Sequence, residues 1–469
     1  MIFFILGILA LIVAYFVYGT FVERIFGISD APTPAITQHD GVDFVPISTK
    51  KAVLIQFLNI AGTGPIFGAI AGAMWGLWAY LWIILGSIFA GTVHDYFSGM
   101  LSVRNKGGSI SEVVGKYLGH FPLVVMRIFS VVLLLLVGVV FMMTPAQVLQ
   151  TLFNGGQTFF YIALAGIVLY YLISTVMPID KIIAKIYPFF GAVLIFMAIG
   201  VTIMLFVNGD MRNMPVASLS NVHPSGTMIF PFLFITIACG AISGFHATQS
   251  PMMARCLKTE KDGRKVFYGS MIIEAVIAMI WATAAMTHFG SIQGLAGAGA
   301  APVVVTTVST NLLGIFGGAL AVIGVVAAPI TSGDTAFRSA RLTIADAMKL
   351  EQAPKKNRYL IAIPLFAVGV ILTQVNFDII WRYFAWSNQT LATIALWAFS
   401  VYLMQHKKNY WITYLPAIFM TAVVTSFIII APIGFGLPYN VGLIAGIGLA
   451  AFLAVFFQIK ARKKTETLS

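Results

Sequence analysis

The chain has 469 residues, 59% of them apolar and only 9% charged, against roughly 25% charged in soluble domains. That balance excludes a disordered protein, a nucleic-acid-binding domain and an ordinary soluble enzyme. The net charge of +12 is dispersed over loops rather than gathered in a patch, so it reports membrane topology and not a polyanionic partner.

A membrane-crossing helix needs about 20 predominantly apolar residues. Thirteen such runs can be marked: 2–19, 52–76, 77–103, 121–146, 158–177, 182–207, 227–251, 266–289, 312–337, 358–373, 378–404, 410–432 and 441–459. Each is long, continuously apolar and closed by Gly, Pro or charge. They predict an all-α polytopic membrane protein, whereas a β-barrel would alternate over segments of ~10 residues. The first run has no basic stretch before it and no small-residue cleavage motif after it, so it reads as a retained helix and not a signal peptide. Cys239 and Cys256, the two cysteines, do not make a disulfide framework.

Basic residues set the orientation. Alternate loops, from Arg24, Lys50 and Lys51 to the tail Lys460, Arg462, Lys463 and Lys464, hold 25 of the 28 lysines and arginines. The opposite loops hold Arg212 alone, with Arg382 a few residues inside a run. Excess positive charge marks the cytoplasmic side, which predicts an outer N-terminus and a cytoplasmic C-terminus.

Two spans carry glycine and small polar residues at membrane depth: Phe57-Leu58-Asn59-Ile60-Ala61-Gly62-Thr63-Gly64-Pro65 and Ala238-Cys239-Gly240-Ala241-Ile242-Ser243-Gly244-Phe245-His246. Pro65 removes a backbone donor and the glycines admit non-helical angles. Backbone freed in a bilayer must line a cavity or be buried in protein. Each break opens a set of five spans, 52–207 and 227–404, and an odd number inverts the second set against the first. The pattern predicts a five-plus-five inverted repeat with cargo held at the midplane, preceded by a leading helix and loop (1–51) and followed by two trailing helices with a basic tail (410–469). The competing reading is that the glycines only let helices pack closely. Ser109-Ile110-Ser111-Glu112 has the form of a helix cap opening an amphipathic segment, and the connections 105–119 and 339–350 are expected at corresponding places.

Ionisable residues within spans mark function by default. Asp95, Glu274 and Asp334 are the candidate coupling carboxylates, alongside His94, His246 and Lys185. Asp334 stands four residues from Arg338 and is equally a candidate for a helical ion pair. His94 and Asp95, adjacent on a helix, are expected to point about 100° apart, so that one of them is structural. Thr331 and Ser332 are candidate cation ligands facing the carbonyls freed near Asn59–Gly62, while Lys185 is the fixed positive charge of a proton-coupled version. Arg382, in the polar and aromatic run 381–390, is a candidate clamp for a substrate carboxylate or an interfacial residue reaching outward. His39, Asp40 and Asp43 have ligand character without a fourth partner at diagnostic spacing, so no metal is assigned, and Gly294–Gly299 matches no phosphate loop.

Six segments carry a family resemblance: Asp40–Pro46, Ile60–Pro65, Ala90–Asp95, Ile242–Ser250, Thr331–Arg338 and Trp381–Gln389. Together they resemble the CstA carbon-starvation family. The resemblance implies an inner-membrane transporter of the amino acid–polyamine–organocation superfamily, with a LeuT-like fold and uptake of peptides, or of pyruvate with protons. The longest members carry further C-terminal spans, which leaves peptide and pyruvate both open. The resulting expectation is secondary active uptake of small carboxylate-bearing nutrients, coupled to protons or sodium, with no cofactor. Substrate is expected at Asn59, Gly62, Thr63 and Gly64 on one break and at Gly240, Ser243, Gly244 and His246 on the other, with Thr248, Gln249 and Arg382 added. The alternatives are a channel for small solutes and, with no supporting motif, an intramembrane enzyme. The sequence carries no signal for an oligomeric state.

Overall fold

The computed structural model describes residues 2–41, 43–153, 155–175, 183–214 and 218–466, with backbone alone at 151–152, 183–188, 321–322, 325, 378 and 461–466. The leading segment is α1 (Ile2–Phe16) followed by α2 (Tyr18–Phe26). The first repeat comprises α3 (Thr49–Ile60) with α4 (Gly64–Gly72), α5 (Leu77–Arg104), α7 (His120–Leu152), α8 (Gln157–Ser174) and α9 (Ile183–Val207). Between α5 and α7 lies the amphipathic α6 (Ile110–Leu118), capped as expected by Ser109, whose hydroxyl accepts from the Glu112 amide. The second repeat comprises α10 (Phe232–Thr236) with α11 (Gly244–Ala254), α12 (Glu260–His288), α13 (Ala301–Val322) continuing into α14 (Ala328–Met348), α15 (Lys355–Leu372) and α16 (Phe377–Gln405). Two trailing helices follow, α17 (Trp411–Ile430) and α18 (Tyr439–Glu466).

Among the described residues nine helices are long and apolar enough to cross a membrane, and the α3–α4 pair, bent by 48° at its break, makes a tenth. The remaining predicted spans are α10–α11, which its break divides, α15, which opens on Lys355, Lys356 and Arg358, and α16, which carries the polar run 381–390.

One boundary needs correction. The helix that holds the run predicted over 312–337 begins at Ala301 and continues past the apolar stretch to Met348, with a π-helical turn at Ile323–Ala327 and a kink at Gly314, whose φ is +63°. The stretch expected as the connection 339–350 is therefore mostly helix and has no counterpart of α6. Its charges read as a loop in the sequence, but Arg338 donates to the Ser174 carbonyl (2.9 Å) and Arg341 bonds Gln352, so the helix carries them beyond the apolar run.

Helices in a bilayer gain little by hiding apolar surface from lipid, so close approach through small residues decides their packing. Gly138 of α7 lies against the Phe337 ring on α14, and Gly446 of α18 packs on the α17 backbone at Ala422 and Ser426. The loops segregate as their charges require. On the basic face Ser29 donates to Glu260 (2.7 Å), Arg104 pairs with Glu260 (3.0 Å), Thr49 donates to Asp262 (3.0 Å) and Arg255 donates to the Gly107 carbonyl (2.8 Å). On the opposite face Trp75 and Trp78 donate to the Thr227 and Leu219 carbonyls, and His288 meets Asp210 at 3.2 Å.

Candidate functional site

The two broken spans meet. Gly64, Gly68 and Gly72 form a stripe on one side of α4, and a Cβ at any of them would press on Cys239, the Thr236 carbonyl or Ile237. Close packing and backbone release are thus both served by the same glycines. At the first break α3 ends when the Ala61 amide reaches the Phe57 carbonyl (2.7 Å), and Gly62 and Thr63 separate it from α4. Gly62 has no room for a side chain: a Cβ would stand 2.7 Å from the Phe141 ring and 3.2 Å from Ser332 Oγ. Around this break Gln56, Asn59 and Thr63 are buried, and both amide atoms of Gln56 and Asn59 and the Thr63 hydroxyl have no hydrogen-bond partner in the protein. Buried polar side chains are rarely left so, because each costs about 1–3 kcal/mol.

The second break behaves differently. Between α10 and α11 the chain is non-helical over 237–243, with Gly240 at φ +89°. Its released groups are claimed by neighbouring helices. Trp82 Nε1 donates to the Ile237 carbonyl (2.9 Å) and Ser87 Oγ to the Gly240 carbonyl (2.7 Å). Asn388 Oδ1 accepts from the Phe245 amide (2.6 Å) and from Ser243 Oγ (3.0 Å), while Gln389 Nε2 donates to the Phe234 carbonyl (3.0 Å). The start of α11, expected to meet a substrate carboxylate at Gly240–Gly244, is occupied by Asn388. Trp82, Ser87 and Asn388 were not legible as site residues, for their partners lie 143 or more residues away in sequence.

Beside this break stands a chain of four fully buried titratable side chains. His94 Nδ1 lies 2.9 Å from Asp95 Oδ1, Asp95 Oδ2 lies 2.8 Å from His246 Nδ1, and His246 Nε2 lies 3.4 Å from Glu274 Oε2. His94 and Asp95, expected to point about 100° apart, meet through their side chains. Their Cα–Cβ bonds diverge, but the imidazole folds back onto the neighbouring carboxylate, and Asp95 bridges both histidines. Cys239 Sγ, the His246 ring and the Glu274 carboxylate all fall within 4.8 Å of one another, a grouping that sequence spacing did not show.

The other predicted residues lie apart from this chain. Asp334 Oδ2 accepts from Ser174 Oγ on α8 (2.6 Å). Ser332 Oγ donates to the Leu58 carbonyl just before the first break (3.0 Å), and Thr331 Oγ1 turns back to the Ala328 carbonyl of its own helix (2.8 Å). Thr248 Oγ1 donates to the Phe245 carbonyl (2.6 Å) and accepts from Gln249 Nε2 (3.1 Å). The Lys185 side chain lies outside the described residues. Asp40 Oδ1 accepts from the amides of Asp43 (3.0 Å) and Phe44 (2.9 Å), shaping a turn that brings Asp43 to 3.8 Å from Arg338.

A cavity of about 490 Å³ opens on the basic face, lined by Asp43, Phe44, Glu112, Arg255 and Asp346 among others, and a small pocket of about 20 Å³ lies between it and Thr248. On the opposite side a cavity of about 300 Å³ is lined by Trp75, His223, Trp381 and Arg382, with Thr236 of α10 in its wall. Arg382 belongs to that cavity.

Comparison with known proteins fits this architecture. The family model described as carbon starvation protein CstA matches residues 1–165, 147–292 and 281–427. An uncharacterized membrane protein of Haemophilus influenzae is 41% identical over 345 residues, 63% of this chain and 93% of its own length. The peptide transporter CstA of Campylobacter jejuni is 27% identical, over 87% of this chain and 77% of that protein. The pyruvate/proton symporter BtsT of Escherichia coli is 28% identical over 58% of this chain and 47% of its own length. Among solved structures, a manganese transporter of Eremococcus coleocola aligns with a TM-score of 0.56 at 14% identity, over 91% of this chain and 99% of that one. MhsT in complex with L-phenylalanine aligns at 0.57 with 12% identity, over 89% and 99%. At such identities the likeness is one of fold, the LeuT-like inverted repeat of a multi-pass membrane protein. With family matches running from residue 1 to residue 427, the chain belongs to the CstA carbon-starvation family.

Proposed function

We propose that the protein is a secondary active transporter and not an enzyme, taking up small carboxylate-bearing nutrients, peptides or pyruvate, across the bacterial inner membrane by alternating access. The basic face is cytoplasmic, with the N-terminus outside and the C-terminus inside. The observation that carries this reading is the trio Gln56, Asn59 and Thr63, buried at the first break without protein partners. Donors from Asn59, Gln56 and the start of α4 at Gly64 would receive the substrate carboxylate. At the second break the contacts of Gly240, Ser243 and Gly244 are made within the protein, so its role is coupling. His94, Asp95, His246 and Glu274 offer a proton a buried path, whose last step crosses the 3.4 Å between His246 Nε2 and Glu274 Oε2. Ser332 beside the Leu58 carbonyl is the alternative place for sodium. Arg382 gathers anionic substrate at the outer cavity and Thr248 and Gln249 meet it on the cytoplasmic side.

The test is counterflow of labelled dipeptide and labelled pyruvate in liposomes, with and without sodium. Unlabelled substrate inside is expected to draw label in, and accumulation is expected to survive without sodium and collapse with an uncoupler. Label that only equilibrates, with no counterflow, identifies a channel; chemically altered label identifies an enzyme. Glu274→Gln is expected to retain counterflow and lose uncoupler-sensitive accumulation.

A further inference from the structure

We infer that Cys239, His246 and Glu274 form a binding site for one divalent transition-metal ion of the zinc class, and that the ion pins the second break to α12. The three side chains come from separate places: Cys239 from the unwound stretch, His246 from α11 and Glu274 from α12. Their ligand atoms lie within 4.8 Å of one another. His246 Nε2 and both Glu274 oxygens are buried without a hydrogen bond of good geometry, and Cys239 Sγ makes only long contacts, 3.5 Å to Ser243 Oγ and 4.0 Å to Asn388 Nδ2. The 3.4 Å between His246 Nε2 and Glu274 Oε2 is longer than a good charge-assisted hydrogen bond. It matches the edge of about 3.4 Å expected between two ligands held tetrahedrally at about 2.0–2.2 Å from zinc.

The surroundings are those of a metal-binding histidine. In the tautomer with the proton on Nδ1, His246 donates to Asp95 Oδ2 at 2.8 Å and presents its Nε2 lone pair to Glu274, the carboxylate–histidine pairing that supports metal ligands. Thiolate, neutral imidazole and carboxylate sum to two negative charges, so a divalent ion neutralises its three ligands once the Cys239 thiol has released its proton. A sulfur, nitrogen and oxygen set with one place open favours zinc or cobalt over magnesium or calcium. An ion bridging the two sides of the break to α12 would hold them in one arrangement. Arrest of uptake rests on the transport reading above; binding does not.

The test is cobalt titration of the purified full-length chain in detergent, followed by the thiolate-to-cobalt charge-transfer absorption in the near ultraviolet. One equivalent is expected to develop the band. Cys239→Ala should abolish it, Cys256→Ala should leave it, and Asp95→Asn should weaken affinity by about 10–100-fold. Absence of the band, or a band unchanged in Cys239→Ala, would overturn the site. A second measurement leaves every ligand in place: in a Cys256→Ala background, zinc should slow alkylation of Cys239, and equal rates with and without zinc would also overturn it. In liposomes that transport substrate, zinc should stop uptake and a chelator restore it. Metal binding with uptake unaffected would overturn the pinning while leaving the transport reading intact.

Discussion

The two broken spans begin from similar sequence and end in opposite chemical states. At the first, a short interruption leaves Gln56, Asn59 and Thr63 buried without partners in the protein. At the second, a longer interruption is closed by Trp82, Ser87, Asn388 and Gln389 reaching in from α5 and α16. A bilayer tolerates unwound backbone only where something satisfies it. The difference teaches that the two halves of an inverted repeat need not be used alike: one break keeps buried polar side chains without protein partners, to which the proposed function brings cargo, and the other is held by fixed side chains beside a titratable chain.

Three substitutions probe this contrast. Gly240→Val should have the largest effect, because its φ of +89° and an Ala278 Cβ 2.6 Å from any added Cβ combine a left-handed penalty of about 1–2 kcal/mol with overpacking of about 1–3 kcal/mol. The expected result is a sharp fall in thermal midpoint and in yield from detergent. Asn388→Ala strips partners from Ser243 and the Phe245 amide and should cost about 1–3 kcal/mol of stability, read as a lowered midpoint with substrate affinity nearly retained. Asn59→Ala should do the reverse: unchanged or raised stability, and a loss of about 1–3 kcal/mol in binding, or roughly 5–150-fold in Kd.

The smallest effect is one of pH at the basic face. Burial raises the Asp346 carboxyl above its usual range, opposed by Arg255, Arg127 and Arg341 and reinforced by Asp43. A carboxyl raised in the folded state binds its proton more tightly there than when unfolded, so its ionisation disfavours folding above the raised value and that cost fades on acidification. Wild type should therefore gain midpoint relative to Asp346→Asn as pH falls from about 7 to about 4.

The spans and both breaks were legible because membrane helices advertise themselves through length and apolarity, and because Gly62, Gly64, Pro65, Gly240 and Gly244 interrupt otherwise continuous runs. The partners of the breaks were not. Ser87 and Gly240 are 153 residues apart and Ser243 and Asn388 are 145 apart, and no local period records such pairings. Helical angles misled at His94 and Asp95, where side-chain reach matters more than the direction of the Cα–Cβ bond. Charge misled at 338–348, where the Ser174 carbonyl and Gln352 receive Arg338 and Arg341 and let a helix carry them.

Equilibrium binding of labelled dipeptide and pyruvate to purified wild type, Asn59→Ala and Asn388→Ala tests the division between the breaks most directly. The expected result is binding lost in Asn59→Ala and kept in a less stable Asn388→Ala; wild-type affinity in Asn59→Ala, with binding lost only in Asn388→Ala, would contradict it.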